Sequence, residues 1–315
     1  MRKYLFMTSV PLLTPTLASA ALYGVSSDYS GVVYHIDPGT GQATPTTTLA
    51  GGQWFSYSGA SFLDGDLYAS DVYHVGDYTV GTVDLDSGAY TCVGDQHGSW
   101  NWHGLASSDA EGIVWSIDLD DGGKLKSMTA DGTYTVIGPT GIDGRGLAYD
   151  DQQGILYATG GYGSPGATTL YTVDTTTGAA TLVGSMGLDS VLIGLAYDEV
   201  NEILYANAVD TAGDNLGRLY TVDVASGATT LVGLNHAGQI DGLAWIPEPT
   251  GLSILALGGL ATIGRRQAAH GSGPPTSQGK PGRLDRATVL RAPPSGARQT
   301  RRRAMARPPS RKPRP

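Results

Sequence analysis

Between residues 21 and 246 apolar and polar positions alternate in short runs, and each run stops at Gly, Asp, Asn or Thr. GLAYD (194 to 198), ILYA (203 to 206), LYTVD (170 to 174) and ATLVG (180 to 184) are typical. A period of two with turn residues at every break predicts strands and no helices. The four runs return in a fixed order, here named strands A, B, C and D.

The return is the strongest signal in the chain. LYTVDTTTGAATLVG (170 to 184) aligns with LYTVDVASGATTLVG (219 to 233), VGTVDLDSGAYTCVG (80 to 94), KLKSMTADGTYTVIG (124 to 138) and, more loosely, VVYHIDPGTGQAT (32 to 44). Turn glycines recur at Gly41, Gly88, Gly132, Gly178 and Gly227, and strand A glycines at Gly59, Gly104, Gly146, Gly194 and Gly242, with spacings of 42 to 49 residues. That is the length of one four-stranded propeller blade. The first copy lacks strand A, and the repeat region ends on an unpaired strand A, DGLAW (241 to 245). Joining these ends predicts an all-β, five-bladed β-propeller over residues 21–246, closed by strands from both ends. Closure removes the sheet edges that the alternative, an open β-solenoid, would leave exposed.

Within each unit the C to D link, Asp-x-x-x-Gly, suits a tight hairpin, so Asp37, Asp84, Asp174 and Asp223 read first as turn residues. Calcium loops at Asp84-x-Asp86 or Asp118-x-Asp120-Asp121 are incomplete, and no metal or cofactor site is expected. Recurring aromatics (Tyr23, Tyr68, Trp115, Tyr157 and Tyr205 in strand B; Phe62, Tyr149, Tyr197 and Trp245 in strand A) are expected to pack blade on blade. Trp102 sits in a column with Tyr57, Leu192 and Ile240, which points to partial burial. The single Cys92 has Leu182 as its repeat mate and is expected to be a small buried hydrophobe.

Other residues break the pattern. Trp54 and Trp100 fall in D to A loops without repeat mates. The residue before each strand A glycine differs from blade to blade: Ser58, His103, Arg145, Ile193 and Asp241. This position should stand near the channel mouth, and its variation makes Trp54, Trp100, His103, Arg145 and Asp241 the candidate ligand-binding set: indole platforms with polar partners, as a sugar requires. The competing reading is a wet, tolerant channel mouth. No nucleophile elbow, His-Glu-x-x-His, phosphate loop or paired-Cys pattern occurs, so no catalytic residue is assigned and the body is read as non-enzymatic. The weaker alternative is a glycoside hydrolase, which would need carboxylates converging on the channel; only Asp241 holds the mouth column.

The flanks carry sorting information. Arg2 and Lys3, a mostly apolar run from Tyr4 to Leu17, and Ala18-Ser19-Ala20 predict a signal peptide over 1–20. Charge then divides the chain: residues 1 to 264 hold 6 Lys+Arg against 28 Asp+Glu and residues 265 to 315 hold 14 against 1, so −22 and +13 give the net −9. An acidic body disfavours a nucleic-acid partner. Residues 267–315, rich in Arg, Pro, Gly and Ala and lacking Tyr, Trp and Phe, cannot form a core and are expected to be disordered. They read as a basic tail that stays inside and is cut away, as translation of a shifted frame, or as a nucleic-acid arm around Arg301-Arg302-Arg303.

Between body and tail, Pro247-Glu248-Pro249-Thr250, an apolar segment and Arg265-Arg266 (247–266) resemble the PEP-CTERM sorting signal of exopolysaccharide-producing Gram-negative bacteria. The resemblance covers about twenty residues; the long continuation past the arginines departs from the family pattern. It implies transient insertion in the inner membrane, processing by an exosortase, and a secreted or cell-surface product. Residues 251 to 264 would make a helix of roughly 21 Å, short of the ~30 Å hydrocarbon core, which suits a removable anchor. The functional expectation is a surface or matrix binding and structural module, with extracellular polysaccharide as its partner.

Overall fold

The computed structural model describes residues 20–49, 57–71, 79–94, 101–160, 168–188, 193–209, 216–237 and 239–246. Residues 1–19 of the expected signal segment and everything from Pro247 onward lie outside them, as do Trp54 and Trp100.

Among the described residues, twenty strands form five four-stranded antiparallel sheets. The first blade joins β1 (Ala21–Ser26), β2 (Val32–Ile36) and β3 (Ala43–Thr48) to a strand from the far end of the propeller. The second contains β4 (Tyr57–Leu63), β5 (Asp66–Asp71), β6 (Thr79–Val83) and β7 (Tyr90–Cys92). The third contains β8 (Trp102–Ser108), β9 (Ile113–Asp118), β10 (Lys124–Thr129) and β11 (Tyr134–Pro139). The fourth contains β12 (Leu147–Asp150), β13 (Ile155–Gly160), β14 (Thr169–Val173) and β15 (Ala180–Ser185). The fifth contains β16 (Ile193–Asp198), β17 (Ile203–Val209), β18 (Gly217–Val222) and β19 (Thr229–Leu234); β20 (Ile240–Ile246) then crosses to the first blade. There β20 pairs with β1 through Leu22↔Trp245 and Gly24↔Leu243. This is the expected five-bladed propeller, and the open solenoid is excluded.

The C to D turns behave as their sequence demands. In Asp174-Thr-Thr-Thr-Gly178 the Asp174 carboxylate accepts the amides of Thr176 (2.8 Å) and Thr177 (2.9 Å), while Gly178, at φ +82°, donates to the Asp174 carbonyl (2.8 Å). Asp37 and Asp84 accept turn amides in the same way, which holds their carboxyls below the usual carboxylate range; at Asp174 the Thr176 hydroxyl (2.6 Å) and then the turn amides do the same. The third blade has Thr129 where the others have Asp, and Gly132 donates to the Thr129 carbonyl instead.

A propeller has no single core. The buried side chains fall into five clusters, each shared by two neighbouring blades. Sheets packed on both faces need apolar residues at alternate and at consecutive positions, which is why strands such as ILYATG read as nearly continuous hydrophobic runs. Four of the recurring aromatics in strand B meet the strand A aromatic of the next blade: Tyr23 with Phe62 (5.5 Å between centroids), Trp115 with Tyr149 (4.4 Å), Tyr157 with Tyr197 (5.9 Å) and Tyr205 with Trp245 (5.8 Å). Trp102 is fully buried, beyond the partial burial expected of it.

One expectation fails. Cys92 is exposed. Strand D is the outer edge of every blade and has one neighbour only, so side chains there turn to solvent even where the sequence is apolar. Its repeat mate Leu182 is 59% exposed and Leu231 53% exposed.

Candidate functional site

The strands named A are β20, β4, β8, β12 and β16, and each is the innermost edge of its sheet. They line the propeller axis. The variable position at their start gathers residues from several blades, and polar side chains on strand B fix the backbone there. Thr159 Oγ1 accepts Gly146 N (2.8 Å), and Asn207 Nδ2 donates to Ile240 O (2.7 Å) while its own oxygen accepts Asn235 Nδ2 (2.8 Å). Ser58 is itself buried, donating to Trp102 O (2.8 Å) with Ser70 beside it (3.2 Å). Ser70, Thr159 and Asn207 all stand three places after the leucine at the second position of strand B, so a polar residue in an apolar strand was the signal that would have found them.

His103 and Arg145 come together. Arg145 Nη1 lies 3.0 Å from Nε2 and 3.1 Å from Nδ1 of His103, and Arg145 Nε is 3.6 Å from Asp143 Oδ1. Burial, and then the Arg145 charge, push the His103 imidazole down to about 3, so at neutral pH it is an uncharged ring that can accept from the guanidinium. Asp241 is also buried. Desolvation pushes its carboxyl up to about 7, against the opposing pull of the Ser27 hydroxyl and the Arg145 charge, and Oδ1 has no hydrogen-bond partner. Three of the expected residues therefore occupy one level of the channel as a guanidinium, a neutral imidazole and a poorly solvated carboxyl. Ile193 opens β16 at the same position.

Just inside this level the blades touch through backbone. A Cβ on Gly59 would lie 2.6 Å from Gly104 C, one on Gly104 2.8 Å from Arg145 O, and one on Gly242 2.8 Å from Ala60 N. The strand A glycines thus permit an approach no side chain could survive, and they constrict the channel. Beyond them it opens into a cavity of 630 Å³ lined by all five strands A. Phe62, Tyr149, Tyr197 and Trp245 stand in its wall, and Asp64, Asp109, Asp151 and Glu199 at the turns that follow. The cavity lies at the opposite end of strand A from His103, Arg145 and Asp241. Among the described residues no group of three or more His, Cys, Asp or Glu side chains is placed to hold a metal ion.

No family model matches the sequence, and no curated protein matches it. Solved structures do resemble the fold. TolB from Acinetobacter baumannii superposes with a TM-score of 0.45 at 10% identity, covering 73% of this chain and 66% of that one. A protein of unknown function from Bacteroides thetaiotaomicron superposes with a TM-score of 0.44 at 16% identity, covering 68% of this chain and 50% of that one. The chain thus spans under two thirds of the length of either, and likenesses this loose carry no functional argument.

Proposed function

We propose that this protein is an exported β-propeller that serves at the cell surface or in the extracellular matrix as a non-catalytic binding module for polysaccharide. Export rests on the N-terminal signal pattern; delivery through a transient inner-membrane anchor and an exosortase rests on the PEP-CTERM resemblance of Pro247, Glu248, Pro249, Arg265 and Arg266. The observation that carries the binding reading is the His103–Arg145 contact with Asp241 at the same channel level. Three blades supply three different hydrogen-bonding groups where repeat packing alone would keep one residue type. A sugar needs a few such groups beside an apolar platform, the part assigned to Trp54 and Trp100.

The test is retention of the secreted protein on the producing cell's own exopolysaccharide, with released sugars measured in parallel. Arg145→Ala and Trp100→Ala should each weaken retention at least tenfold while leaving a cooperative melt. Unchanged retention in both removes this face as the site. Release of sugars would favour the glycoside hydrolase instead. Against that alternative stands the use of the cavity carboxylates: Asp151 accepts Ser108 Oγ (2.6 Å), and Glu199 accepts Asp151 N (3.2 Å), so each is already a clasp between blades.

A further inference from the structure

We propose that the cavity at the far end of the channel is a second binding site, for an organic cation: an ammonium or guanidinium group on an apolar stem.

The cavity combines three features. It is large enough, at 630 Å³, for a small ligand, within the usual range of roughly 300–1,000 Å³. Its wall includes Phe62, Tyr149, Tyr197 and Trp245, whose sides toward the preceding blade are taken by Tyr23, Trp115, Tyr157 and Tyr205 and whose remaining surface gives an apolar stem aromatic carbon to pack on. Its rim carries Asp64, Asp109, Asp151 and Glu199, and no Lys, Arg or His is among the described lining residues.

The rim is a built arrangement. Each acid stands at the same place, directly after strand A, and three of them clasp the preceding blade: Asp109 Oδ1 accepts Asp64 N (2.8 Å), Asp151 Oδ2 accepts Ala110 N (3.4 Å) and Glu199 Oε1 accepts Asp151 N (3.2 Å). A carboxylate can accept about four hydrogen bonds, so these clasps leave acceptor capacity on acids that line the cavity. The charges feel one another: burial, followed by Asp151, Asp150 and Asp109, raises the Glu199 carboxyl. Four like charges one blade apart, facing a hollow, are relieved by a cation between them.

The same spacing selects the kind of cation. One carboxylate from each of four blades does not gather the several close oxygens that a calcium ion requires, and among the described residues no three such side chains are placed to hold a metal ion. The innermost strand edges add backbone carbonyls to the wall, since each strand A is paired on one side only. Acceptors on the wall, rings beside them and negative charge at the rim match a primary amine or guanidine with a short aliphatic stem.

The test is calorimetric titration of both the full-length chain and the form recovered from culture medium with agmatine and with cadaverine at low salt; 1,5-pentanediol serves as the uncharged control. Saturable binding of either amine by either form is expected, weakened at least tenfold in Glu199→Gln/Asp64→Asn and by raised salt. Glu199→Gln keeps the oxygen that accepts Asp151 N, and Asp64 is an exposed turn residue at φ +52° where Asn is well tolerated. The double variant should therefore melt with the wild type; if it does not, Asp64→Asn alone supplies the comparison, with a smaller loss. Absence of binding in both forms, equal binding by the variants, or equal binding of pentanediol overturns the proposal. None of these outcomes depends on polysaccharide retention at the other end.

Discussion

Leu22 and Trp245 are Cα partners in adjacent antiparallel strands, although they stand at opposite ends of the propeller sequence. The first blade exists only through this pairing, since β1, β2 and β3 lack an inner strand of their own.

Deleting residues 21 to 49 should accordingly do more than remove three strands. It would leave β20 without a sheet, uncover Phe62 and Ala60 of the second blade, and uncover Tyr205 and Leu219 of the fifth. The truncated protein is expected to aggregate or to lose its cooperative melt, measured by scattering and calorimetry. A soluble, sharply melting truncation would contradict the closure.

The repeat glycines make a second prediction. Each C to D turn glycine abuts strand D, or its end, in the preceding blade: Gly88 on Thr48, Gly132 on Gly94, Gly178 on Gly138, Gly227 on Gly184, and Gly41 on Gly233 across the closure. A Cβ on Gly184 would run into the Ser226 carbonyl, although Gly184 is not in the left-handed region. Gly141, at φ +75°, has open space around its would-be Cβ. Gly184→Ala should therefore cost about 1–3 kcal/mol through overpacking between blades. Gly141→Ala should cost about 1–2 kcal/mol through backbone strain alone. Denaturant melts compare them, and the first should also broaden the transition if blade contacts are loosened.

Much of this was legible in the sequence because a repeat reports on itself. The phase of the strands gave the closure, and Asp-x-x-x-Gly gave the turns, since both are local patterns repeated several times. What escaped has a partner in another blade. The turn glycines read as suppliers of positive φ, while their contact with Gly94, Gly138 or Gly184 depends on how blades are stacked. Cys92 read as buried because its column is apolar, yet an outer edge strand leaves such a column in water. The acids Asp64, Asp109, Asp151 and Glu199 keep one offset from strand A, but an acid after a strand looks like any other turn former until the channel brings the four together.

The third blade departs from the repeat in one place with energetic consequences. Lys126 takes the position held elsewhere by Tyr171 and Tyr220, and its Nζ lies 2.6 Å from Asp118 Oδ2 and 3.4 Å from Asp121 Oδ2, over the Tyr134 ring. Side-chain exposure is 6% for Lys126 and 2% for Asp118. Lys126→Met would leave the Asp118 charge buried without its partner, at a cost of about 3–5 kcal/mol. Adding Asp118→Asn should restore most of that loss, because one amide oxygen still accepts the turn amides of Asp120 and Asp121. Equal melting of the single and double variants would show that the pair is solvated.

The channel pair His103 and Asp241 should give the protein two opposed pH dependences. Asp241 is raised from its ordinary 3.8 to about 7. The folded state therefore holds a proton that the unfolded state has released, so this contribution is full below about pH 4 and lost as pH rises through about 7. His103 is lowered from 6.5 to about 3. Here the unfolded state binds the extra proton, so its contribution is full above about pH 6.5 and lost as pH falls toward 3. Between these limits the two slopes cancel in part, and the wild type should melt almost independently of pH from about 4 to 6.5 for this pair. Asp241→Asn removes the falling slope, so the variant should gain stability relative to wild type as pH rises from 4 to 7, by at most a few kcal/mol since relaxation and water reduce the effect of burial. His103→Gln removes the rising slope and should lose stability over the same interval. Thermal melts from pH 3 to 8 separate the cases, and parallel profiles for all three proteins would mean that neither group is as desolvated as its position indicates.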